Sequence, residues 1–316
     1  MAAAAPPALP VPQNSKLAQE PATAYSLLHN TFHRWQLRLG CPVLDAALGG
    51  GLDVAGVITE VAGEAGVGKT QLALQLMLQV QLPQSMGGLA GGAVYLHGDT
   101  SNADPTLRRL HTMAEAFAAR HASVGAEVER LKHQIYVMQV DTPDDLWHIV
   151  DERVPALLST ESVRLIVIDS LAGLHRGLET GLPPEAPGAQ AELAIHRARH
   201  VQKLAARLKQ LSTVFNVAVV VLNQVTDKPL DEAQRRSAAP WERGACATAG
   251  GGARIPALGV AWASCVNTRL MLTRTAISEA GGLSGWRRWL HVAWSPRIGE
   301  RSVCFEVADR GLVGRA

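Results

Sequence analysis

A glycine-rich run in the first quarter of this chain restricts how its 316 residues can fold. The run, residues 63–70, matches the pattern G-x-x-x-x-G-K-[ST]. The apolar segment 57–61 precedes it, and the segment that follows, residues 71–79, is apolar apart from a glutamine at every fourth position. Such a pattern indicates a buried helix. The sequence therefore predicts a strand, a tight turn and a helix, the unit that binds phosphate groups in many α/β proteins.

The residue types in this run suit a nucleoside triphosphate. Glycines let the backbone curl so that successive N–H groups face the phosphates, and the N-terminus of the following helix adds its dipole. Lys69 would bridge the β- and γ-phosphates, and the Thr70 hydroxyl would reach a Mg²⁺ ion. An accidental glycine-rich turn is the alternative, which the flanking strand and helix disfavour. The predicted nucleotide-binding residues are Gly63, Glu64, Ala65, Gly66, Val67, Gly68, Lys69, Thr70 and Gln71.

An acidic residue closes another apolar strand. A phosphate-binding loop needs a second anchor for Mg²⁺, an acid at the end of a buried strand beside the first one. Asp169 follows the apolar segment 165–168 and fits this position. An aspartate there could instead cap a following helix. Because the glycine-rich run is present, we expect Thr70 and Asp169 to hold the metal ion.

Two amide side chains end a third apolar strand. The segment 217–222 leads into Asn223 and Gln224. A glutamine at this point could hydrogen-bond the γ-phosphate and signal its presence to the segment that follows. The alternative is that both residues only cap the strand. Position alone leaves the two interpretations open.

Short apolar strands alternate with helical patterns over most of the chain. This alternation predicts an α/β fold with a mostly parallel, twisted sheet flanked by helices. After residue 259 the pattern changes to strands joined by short turns, which predicts a C-terminal antiparallel extension. We expect a flexible low-complexity leader over residues 1–33 and one core domain over residues 34–316. The further predicted strands are 93–96, 135–140, 165–168, 217–222, 269–273, 289–294 and 303–307, and the predicted helices are 106–117, 144–158 and 197–211.

The composition excludes several classes of protein. The chain has 30 Lys+Arg and 28 Asp+Glu residues, a formal net charge of +2, and so is not a polybasic nucleic-acid binder. Its longest apolar stretches fall far short of the roughly 20 residues that span a bilayer, and we expect no membrane partner. The four cysteines show no metal-ligand spacing, which favours a reducing compartment.

Two long segments, residues 171–191 and 226–256, show no clear secondary-structure pattern. Loops of this length in a compact domain are usually functional or disordered. The second segment combines several basic residues with Trp241, which suits single-stranded DNA. An ordinary solvated loop explains the same residues equally well. The candidate DNA contacts in the two segments are Arg176, Lys228, Arg235, Arg236 and Arg254.

A basic stripe and a group of tryptophans have simpler interpretations. Arg199, Lys203 and Arg207 lie opposite the apolar face of the predicted helix 197–211. Such a stripe is usually the solvated side of a helix. Four tryptophans of the last third are predicted to be core residues, with the sheet surface or a ligand-binding cage as the alternatives: Trp262, Trp286, Trp289 and Trp294.

Several segments resemble the RecA-like recombinase family and, within it, the eukaryotic recombinase paralogues. They are Gly40-Cys41-Pro42-Val43-Leu44-Asp45, Gly68-Lys69-Thr70-Gln71-Leu72, Asn223-Gln224-Val225, Ala257-Leu258-Gly259-Val260-Ala261-Trp262 and Asn267-Thr268-Arg269-Leu270. The resemblance extends from about residue 37 to the C-terminus. It implies a RecA-like P-loop ATPase core that binds ATP and Mg²⁺. It also implies that the two long segments face DNA and that Gln224 links nucleotide to DNA.

The resemblance further implies an accessory factor of homologous recombination in the nucleus, which assists repair of DNA double-strand breaks and branched intermediates. The implied partners are another recombinase paralogue, in a heterodimer, a recombinase filament, and single-stranded or branched DNA. No clear Phe-x-x-Ala docking motif is found, so pairing with a different paralogue is favoured over self-polymerisation. The helical hairpin domain that many members carry does not fit into the leader.

One departure from the family concerns the residue that orients the attacking water. Family members commonly carry a glutamate after the second strand, and this chain has Asp99 there. Aspartate is one methylene shorter, and a misplacement of about 1 Å can cost on the order of 100-fold in rate. We therefore predict weak DNA-dependent ATPase activity, with Lys69, Asp99 and Gln224 as the catalytic residues. A solvated loop acid is the alternative for Asp99.

Two other functions are compatible with a phosphate-binding loop. A small-molecule kinase or NTPase would need a lid with catalytic arginines, and the segment 171–191 supplies only Arg176. A non-hydrolysing adaptor would hold ATP as a structural ligand, and the short side chain of Asp99 is consistent with this.

Overall fold

A nine-stranded mixed sheet forms the centre of the computed structural model, which describes residues 35–98, 103–176, 189–228, 253–278 and 284–315. The strands are β1 (Gln36–Leu37), β2 (Leu52–Asp53), β3 (Ile58–Gly63), β4 (Gly92–His97), β5 (Ile135–Gln139), β6 (Val163–Asp169), β7 (Ala218–Asn223), β8 (Val225–Lys228), β9 (Ala253–Pro256), β10 (Thr268–Ser278), β11 (Ser284–Trp294), β12 (Arg301–Ala308) and β13 (Gly311–Arg315). The α-helices are α1 (Pro42–Ala47), α2 (Lys69–Gln79), α3 (Ala103–Arg120), α4 (Val128–His133), α5 (Pro143–His148), α6 (Val154–Thr160), α7 (Leu171–Arg176), α8 (Ala189–Phe215) and α9 (Gly259–Ala263). A π-helical turn, Ile149–Arg153, joins α5 to α6.

The sheet has a parallel half and an antiparallel half, in the order β13-β12-β11-β10-β3-β7-β6-β4-β5. The strands from β10 to β5 in this order pair parallel. Strands β10 to β13 pair antiparallel. Central strands such as β7 are buried on both faces, which requires their continuous apolar sequence. The predicted α/β fold with an antiparallel C-terminal extension is confirmed, and β13 is a strand that the sequence pattern did not indicate.

Strand β3, the turn at residues 64–68 and helix α2 form the predicted phosphate-binding unit. Every residue of β3 is buried, as is α2 from Leu72 to its end. The glutamine edge of α2 is buried too. Gln75 Nε2 donates to Leu39 O at 2.6 Å and Gln75 Oε1 accepts from Leu312 N at 2.7 Å, so the polar groups of this helix are satisfied by neighbouring backbone.

Helices pack on both faces of the sheet. One core layer joins α2, α3 and α4 to the sheet through residues such as Leu76 and Phe117. The other layer contains α5 to α9. The apolar face of α8 is buried as predicted, at Val201, Leu204, Leu208 and Leu211. The P-loop, residues 63–70, therefore lies at the carboxyl edge of a sheet that is covered on both sides.

The two long segments are more ordered at their ends than the sequence predicted. Residues 171–176 form α7 and α8 begins at Ala189, so the first segment contains helix at both ends. In the second segment, β8 pairs antiparallel with β9, from Val225 opposite Pro256 to Lys228 opposite Ala253. Four-residue strands are too short for their pattern to stand out from a loop in the sequence. The β8–β9 ribbon brings the two ends of the second segment together.

The predictions for the tryptophans hold in part. Trp262 is completely buried and lies in the core. Trp286 is 49% exposed, so its predicted core position is wrong. Its place near the exposed end of the β10–β11 hairpin explains this, because that end extends beyond the neighbouring strand β12. Trp289 and Trp294 are half-buried.

Residues 35–316 form one folded unit, which contains the whole nine-stranded sheet. The predicted leader, residues 1–33, lies outside the described residues. No helix in the described ranges is long and apolar enough to cross a membrane.

Candidate nucleotide-binding site

A cavity of about 340 Å³ opens where β3 ends and α2 begins. Its size suits a small-molecule ligand. Parts of the P-loop, α3 and the antiparallel extension surround it. The lining residues are Gly66, Gly68, Lys69, Thr70, Gln71, Arg109, Arg288 and Val307.

The P-loop curls tightly at its glycines. Gly66 and Gly68 have φ values of 73° and 121°, in the region that side chains with a Cβ rarely adopt. Gly63 has a different constraint, because a Cβ there would lie only 2.5 Å from Leu272 O on β10. The glycines therefore serve both the turn and the close packing of the neighbouring strand.

Lys69 reaches back across the loop that precedes it. Its Nζ donates to Gly63 O and to Glu64 O, each at 2.8 Å. Burial lowers the pKa of the Lys69 ammonium to about 8, although the nearby Asp169 carboxylate opposes the shift. A phosphate group entering the cavity would meet the buried Lys69 ammonium. The negative charge of the phosphate would offset the cost of removing this ammonium from water.

Thr70 and Asp169 lie together, although 99 residues separate them in the sequence. Thr70 Oγ1 donates to Asp169 Oδ2 at 2.8 Å, and Tyr95 Oη donates to the same oxygen at 3.0 Å. A hydroxyl and a carboxylate at this spacing are the oxygen ligands that Mg²⁺ prefers. The donor set therefore fits a magnesium ion. Tyr95, from β4, was not predicted, because its contact depends on β4 lying beside β6 in the sheet.

Gln224 lies at the same edge of the sheet as Asp169. Its Nε2 donates to Ser170 Oγ at 3.3 Å, and Ser170 directly follows Asp169. Its backbone N–H donates to Asn223 Oδ1 at 2.8 Å, and its carbonyl accepts from Ala257 N at 2.8 Å. The structure therefore brings the candidate sensor to the candidate metal ligand and fixes its backbone from two sides.

A buried carboxylate connects these elements beneath the P-loop. Glu60, in the middle of β3, is 0% exposed. It accepts from Asn223 Nδ2 at 2.6 Å, from Trp262 Nε1 at 2.9 Å and from Arg269 Nε. The Arg269 guanidinium also lies 4.0 Å from the centre of the Trp294 ring. Strands β3, β7 and β10 and helix α9 are thus held by one acid, which the sequence did not reveal because its partners are remote.

A second acid links the P-loop to the β8–β9 ribbon. Glu64 is paired with Arg254 of β9 and has Arg274 Nε of β10 at 3.8 Å. Arg254 Nε also lies 3.5 Å from Asp227 Oδ1 on β8. Arg254, which the sequence analysis named as a candidate DNA contact, lies on a strand and contacts the P-loop residue Glu64.

Arg109 is a further cavity residue that the sequence did not reveal. Its Nε donates to Gln71 Oε1 at 2.7 Å and its Nη2 to Ala308 O at 2.5 Å. It therefore ties α3 to both α2 and the end of β12 at the mouth of the cavity. The helical pattern of α3 gave no reason to separate Arg109 from its neighbour Arg108.

The remaining predicted site residues lie at or beyond the limits of the described chain. Asp99, Arg235 and Arg236 are outside the described residues. Arg176 ends α7 and Lys228 ends β8, and only their backbone is described.

Two cations of the basic stripe on α8 make contacts within the protein. Lys203 Nζ lies 3.7 Å from the centre of the Trp147 ring, and Arg207 Nε lies 2.9 Å from Asp151 Oδ1. Arg199 and Lys203 are exposed and Arg207 is half-buried, so the stripe is largely the solvated side of the helix, as predicted.

Comparison with known proteins gives a family match over most of the chain. The family model described as Rad51 matches residues 33–314. The chain is 37% identical over 281 residues to the DNA repair protein XRCC3 of Bos taurus, covering 88% of this chain and 74% of that protein. It is 36% identical over 285 residues to XRCC3 of Mus musculus, with 88% and 75% covered. It is 27% identical over 278 residues to the DNA repair protein rhp57 of Schizosaccharomyces pombe, with 84% and 76% covered.

These similarities confirm the predicted resemblance to the recombinase paralogues and the RecA-like fold. The family match includes the P-loop, the strand ends that carry Asp169 and Gln224, and almost all of the antiparallel extension. The chain belongs to the Rad51 family.

Proposed function

We propose that this Rad51 paralogue binds ATP with Mg²⁺ and assists repair of DNA double-strand breaks and branched intermediates by homologous recombination. The relatives named XRCC3 and rhp57 are DNA repair proteins, and membership of the Rad51 family implies nucleotide binding with Mg²⁺. The observation that supports the proposal most strongly is that Lys69 and Thr70 line one cavity while Asp169 accepts a hydrogen bond from Thr70 at its edge.

The chain's own residues would hold the nucleotide as follows. Lys69 would exchange its two backbone acceptors for phosphate oxygens, and the N–H groups of residues 66–70 would donate to the same phosphates. Thr70 and Asp169 would hold Mg²⁺, which when bound would neutralise part of the phosphate charge. Gln71 and Arg109 would border the opposite end of the ligand, where the cavity meets α3.

Gln224 would respond to the terminal phosphate. Its side chain contacts Ser170, one residue from the metal ligand Asp169, and its backbone joins the start of the β8–β9 ribbon. A rotation of this side chain toward phosphate would break the contact with Ser170. The second long segment, which begins at this ribbon and contains Arg235 and Arg236, would then change its affinity for single-stranded DNA.

Hydrolysis would be slow. Lys69 would stabilise developing charge on the γ-phosphate, Gln224 would position the terminal phosphate, and Asp99 would orient the water molecule. Because aspartate is shorter than the glutamate common in the family, the water would be poorly placed. ATP binding would therefore control assembly more than turnover would.

The partner would be another recombinase paralogue, docked at the β5 edge of the sheet. Strand β5 has no further strand on its outer side among the described residues. Val137 of β5 and Leu107 of α3 are each 40% exposed beside a groove of about 580 Å³. An extended segment of the partner with apolar side chains could pair with β5 and fill this groove. We place the complex in the nucleus, where its DNA substrate lies.

A single-turnover experiment tests the proposal. The chain, purified with a co-eluting paralogue, is mixed with labelled ATP in the presence and absence of single-stranded DNA. We expect slow hydrolysis that DNA stimulates and that Lys69→Ala abolishes, while Lys209→Ala on α8 serves as the matched control. ATP binding without any turnover would support a non-hydrolysing adaptor. Phosphate transfer to a small molecule, indifferent to DNA, would contradict the proposal.

A further inference from the structure

Two arginines of the antiparallel extension lie opposite each other on neighbouring strands. Arg274 of β10 pairs in register with Arg288 of β11, and Arg288 pairs with Phe305 of β12. Residues opposite each other in a sheet project from the same face. Phe305 shows that this face is the one toward the P-loop, because its ring lies 3.6 Å from the position that a Cβ atom on Gly68 would occupy. Both arginines therefore belong to the sheet face that covers the P-loop.

Like charges directly opposite each other in a sheet destabilise it unless other groups compensate. Arg274 is compensated, since its Nε lies 3.8 Å from Glu64 Oε2 and its guanidinium lies 4.7 Å from the centre of the Trp286 ring. Arg288 has no such compensation. Its Nε atom is buried, and within the described chain this atom has neither a hydrogen-bond acceptor nor a carboxylate partner. A buried guanidinium N–H that has lost water without gaining an acceptor is unfavourable.

The location of Arg288 indicates what would satisfy it. The side chain lines the same cavity as Gly66, Gly68 and Lys69. Arg274 stands nearby, with Nη1 3.5 Å from where a Cβ of Gly66 would lie. An anion in this cavity would therefore meet cations from two directions, Lys69 from the P-loop and the arginines from the extension.

We propose that Arg288 is a phosphate-binding residue of the nucleotide site, with Arg274 as the neighbouring cation that Glu64 holds in position. This inference rests on the proposed function of the cavity and adds a role for the antiparallel extension. The ligand class is a nucleoside polyphosphate, because a guanidinium donates two parallel hydrogen bonds to phosphate oxygens. The repulsion between the two arginines is relieved when the ligand binds.

Nucleotide titrations on the full 316-residue chain test this assignment. ATP, ADP and AMP are titrated in Mg²⁺ buffer into the wild type, Arg288→Ala and Arg288→Lys. Losing a charge-assisted hydrogen bond should weaken ATP binding by about 10- to 100-fold in Arg288→Ala. Arg288→Lys keeps the positive charge and should lose less ATP affinity than Arg288→Ala. The loss should be smallest for AMP, which has one phosphate.

Arg287→Ala is the matched control, because Arg287 precedes Arg288 on β11, is exposed and projects from the opposite face. It should bind ATP like the wild type. Thermal unfolding without nucleotide separates binding from stability. Arg288→Ala should unfold at the wild-type temperature or above it, because the mutation removes an uncompensated charge. A lower unfolding temperature together with unchanged ATP affinity would show that Arg288 is structural and overturn the assignment.

Two other results also overturn it. Equal losses for ATP, ADP and AMP would place Arg288 at the base, the sugar or the α-phosphate that all three share, and not at the polyphosphate end of the ligand. Wild-type affinity in Arg288→Ala, with Lys69→Ala abolishing binding, would refute the role of Arg288 and leave the proposed function standing. Equal ATP affinity of the wild type and Lys69→Ala would refute both the role of Arg288 and the proposed function.

Discussion

At the residue scale, Glu60 is the buried acid that connects the elements beneath the P-loop. A carboxylate removed from water costs several kcal/mol unless other groups compensate it. Here an amide, an indole N–H and a guanidinium from three elements do so. The carboxylate and Arg269 are both buried, so either one alone would be an uncompensated charge in the core.

We expect Glu60→Gln to lower the free energy of unfolding by about 3 kcal/mol, because Arg269 would lose its counter-charge. Urea denaturation measures the change. Glu300→Gln, at an exposed position, should stay within about 0.5 kcal/mol of the wild type. Replacing Glu60 and Arg269 together with methionine should be less harmful than Glu60→Gln alone. A loss below about 1 kcal/mol in Glu60→Gln would show that the pair is not coupled as described.

His291 on β11 makes stability depend on pH. Its ring nitrogens lie 2.9 Å from Thr273 Oγ1 and 2.7 Å from Ser302 Oγ, and burial lowers its pKa to about 4. In the unfolded chain the pKa of histidine is about 6.5. Between these values the unfolded state binds the proton, so stability falls as the pH drops from about 6.5 to about 4.

Denaturation at several pH values tests this. As the pH drops from about 6.5 to about 4, the free energy of unfolding of the wild type should fall by about 1–3 kcal/mol more than that of His291→Asn, because the variant lacks the titrating group. His148→Gln, at an exposed position, should keep the wild-type slope. Identical slopes in the wild type and His291→Asn would contradict the prediction.

At the element scale, the β8–β9 ribbon joins the P-loop to the second long segment. The ribbon holds the two ends of that segment in register, and Arg254 ties it to Glu64. Its strands are only four residues long and depend on such anchors for their position. We infer that the Arg254–Glu64 pair transmits nucleotide occupancy to the segment that would bind DNA.

Arg254→Ala distinguishes this interpretation from the direct DNA contact predicted from the sequence. As a link, Arg254 would affect only the response to nucleotide, so the ratio of DNA affinities with and without ATP should fall about tenfold toward one. As a phosphate contact, its loss would weaken DNA binding equally in both states. Fluorescence anisotropy with a single-stranded oligonucleotide measures both affinities, and the exposed Arg301→Ala serves as the control.

The β5 edge gives an element-scale prediction about the partner. We expect Val137→Arg to weaken association with the partner paralogue at least tenfold, because a charge would enter an apolar contact at a strand edge. Val124→Arg, at an equally exposed position away from this strand, should associate normally. Co-purification followed by analytical ultracentrifugation provides the measurement. Normal association of Val137→Arg would exclude this edge as the docking surface.

Residues that belong to a contiguous motif could be predicted from the sequence, whereas residues whose roles depend on distant partners could not. The P-loop could be predicted because its eight residues are contiguous, and Asp169 because a single strand end identifies it. Tyr95, Glu60 and Arg288 could not, since their roles depend on strand order and register. Partners of Tyr95 and Glu60 lie 74 to 209 residues away in the sequence. Periodicity identifies buried strands but not their neighbours.

At the scale of the whole molecule, the fold gathers parts of one site from the entire chain. The parallel half of the sheet supplies the P-loop, Asp169 and Gln224 at a single edge. The antiparallel half covers the P-loop from the other side and contributes Arg288 to the cavity. A net charge of only +2 means that DNA affinity must come from local clusters, from a partner, or from both.

Lys69, Thr70 and Asp169 would together hold ATP and Mg²⁺ in one site. Isothermal titration of ATP, with Mg²⁺ and with EDTA, measures whether they do. We predict that Mg²⁺ raises the ATP affinity of the wild type and that this increase is at least tenfold smaller in Asp169→Asn. Asp141→Asn, at an exposed position, should show the full increase. Wild-type Mg²⁺ dependence in Asp169→Asn, or an ATP affinity of the wild type that does not change with Mg²⁺, would show that these residues do not form an ATP–Mg²⁺ site.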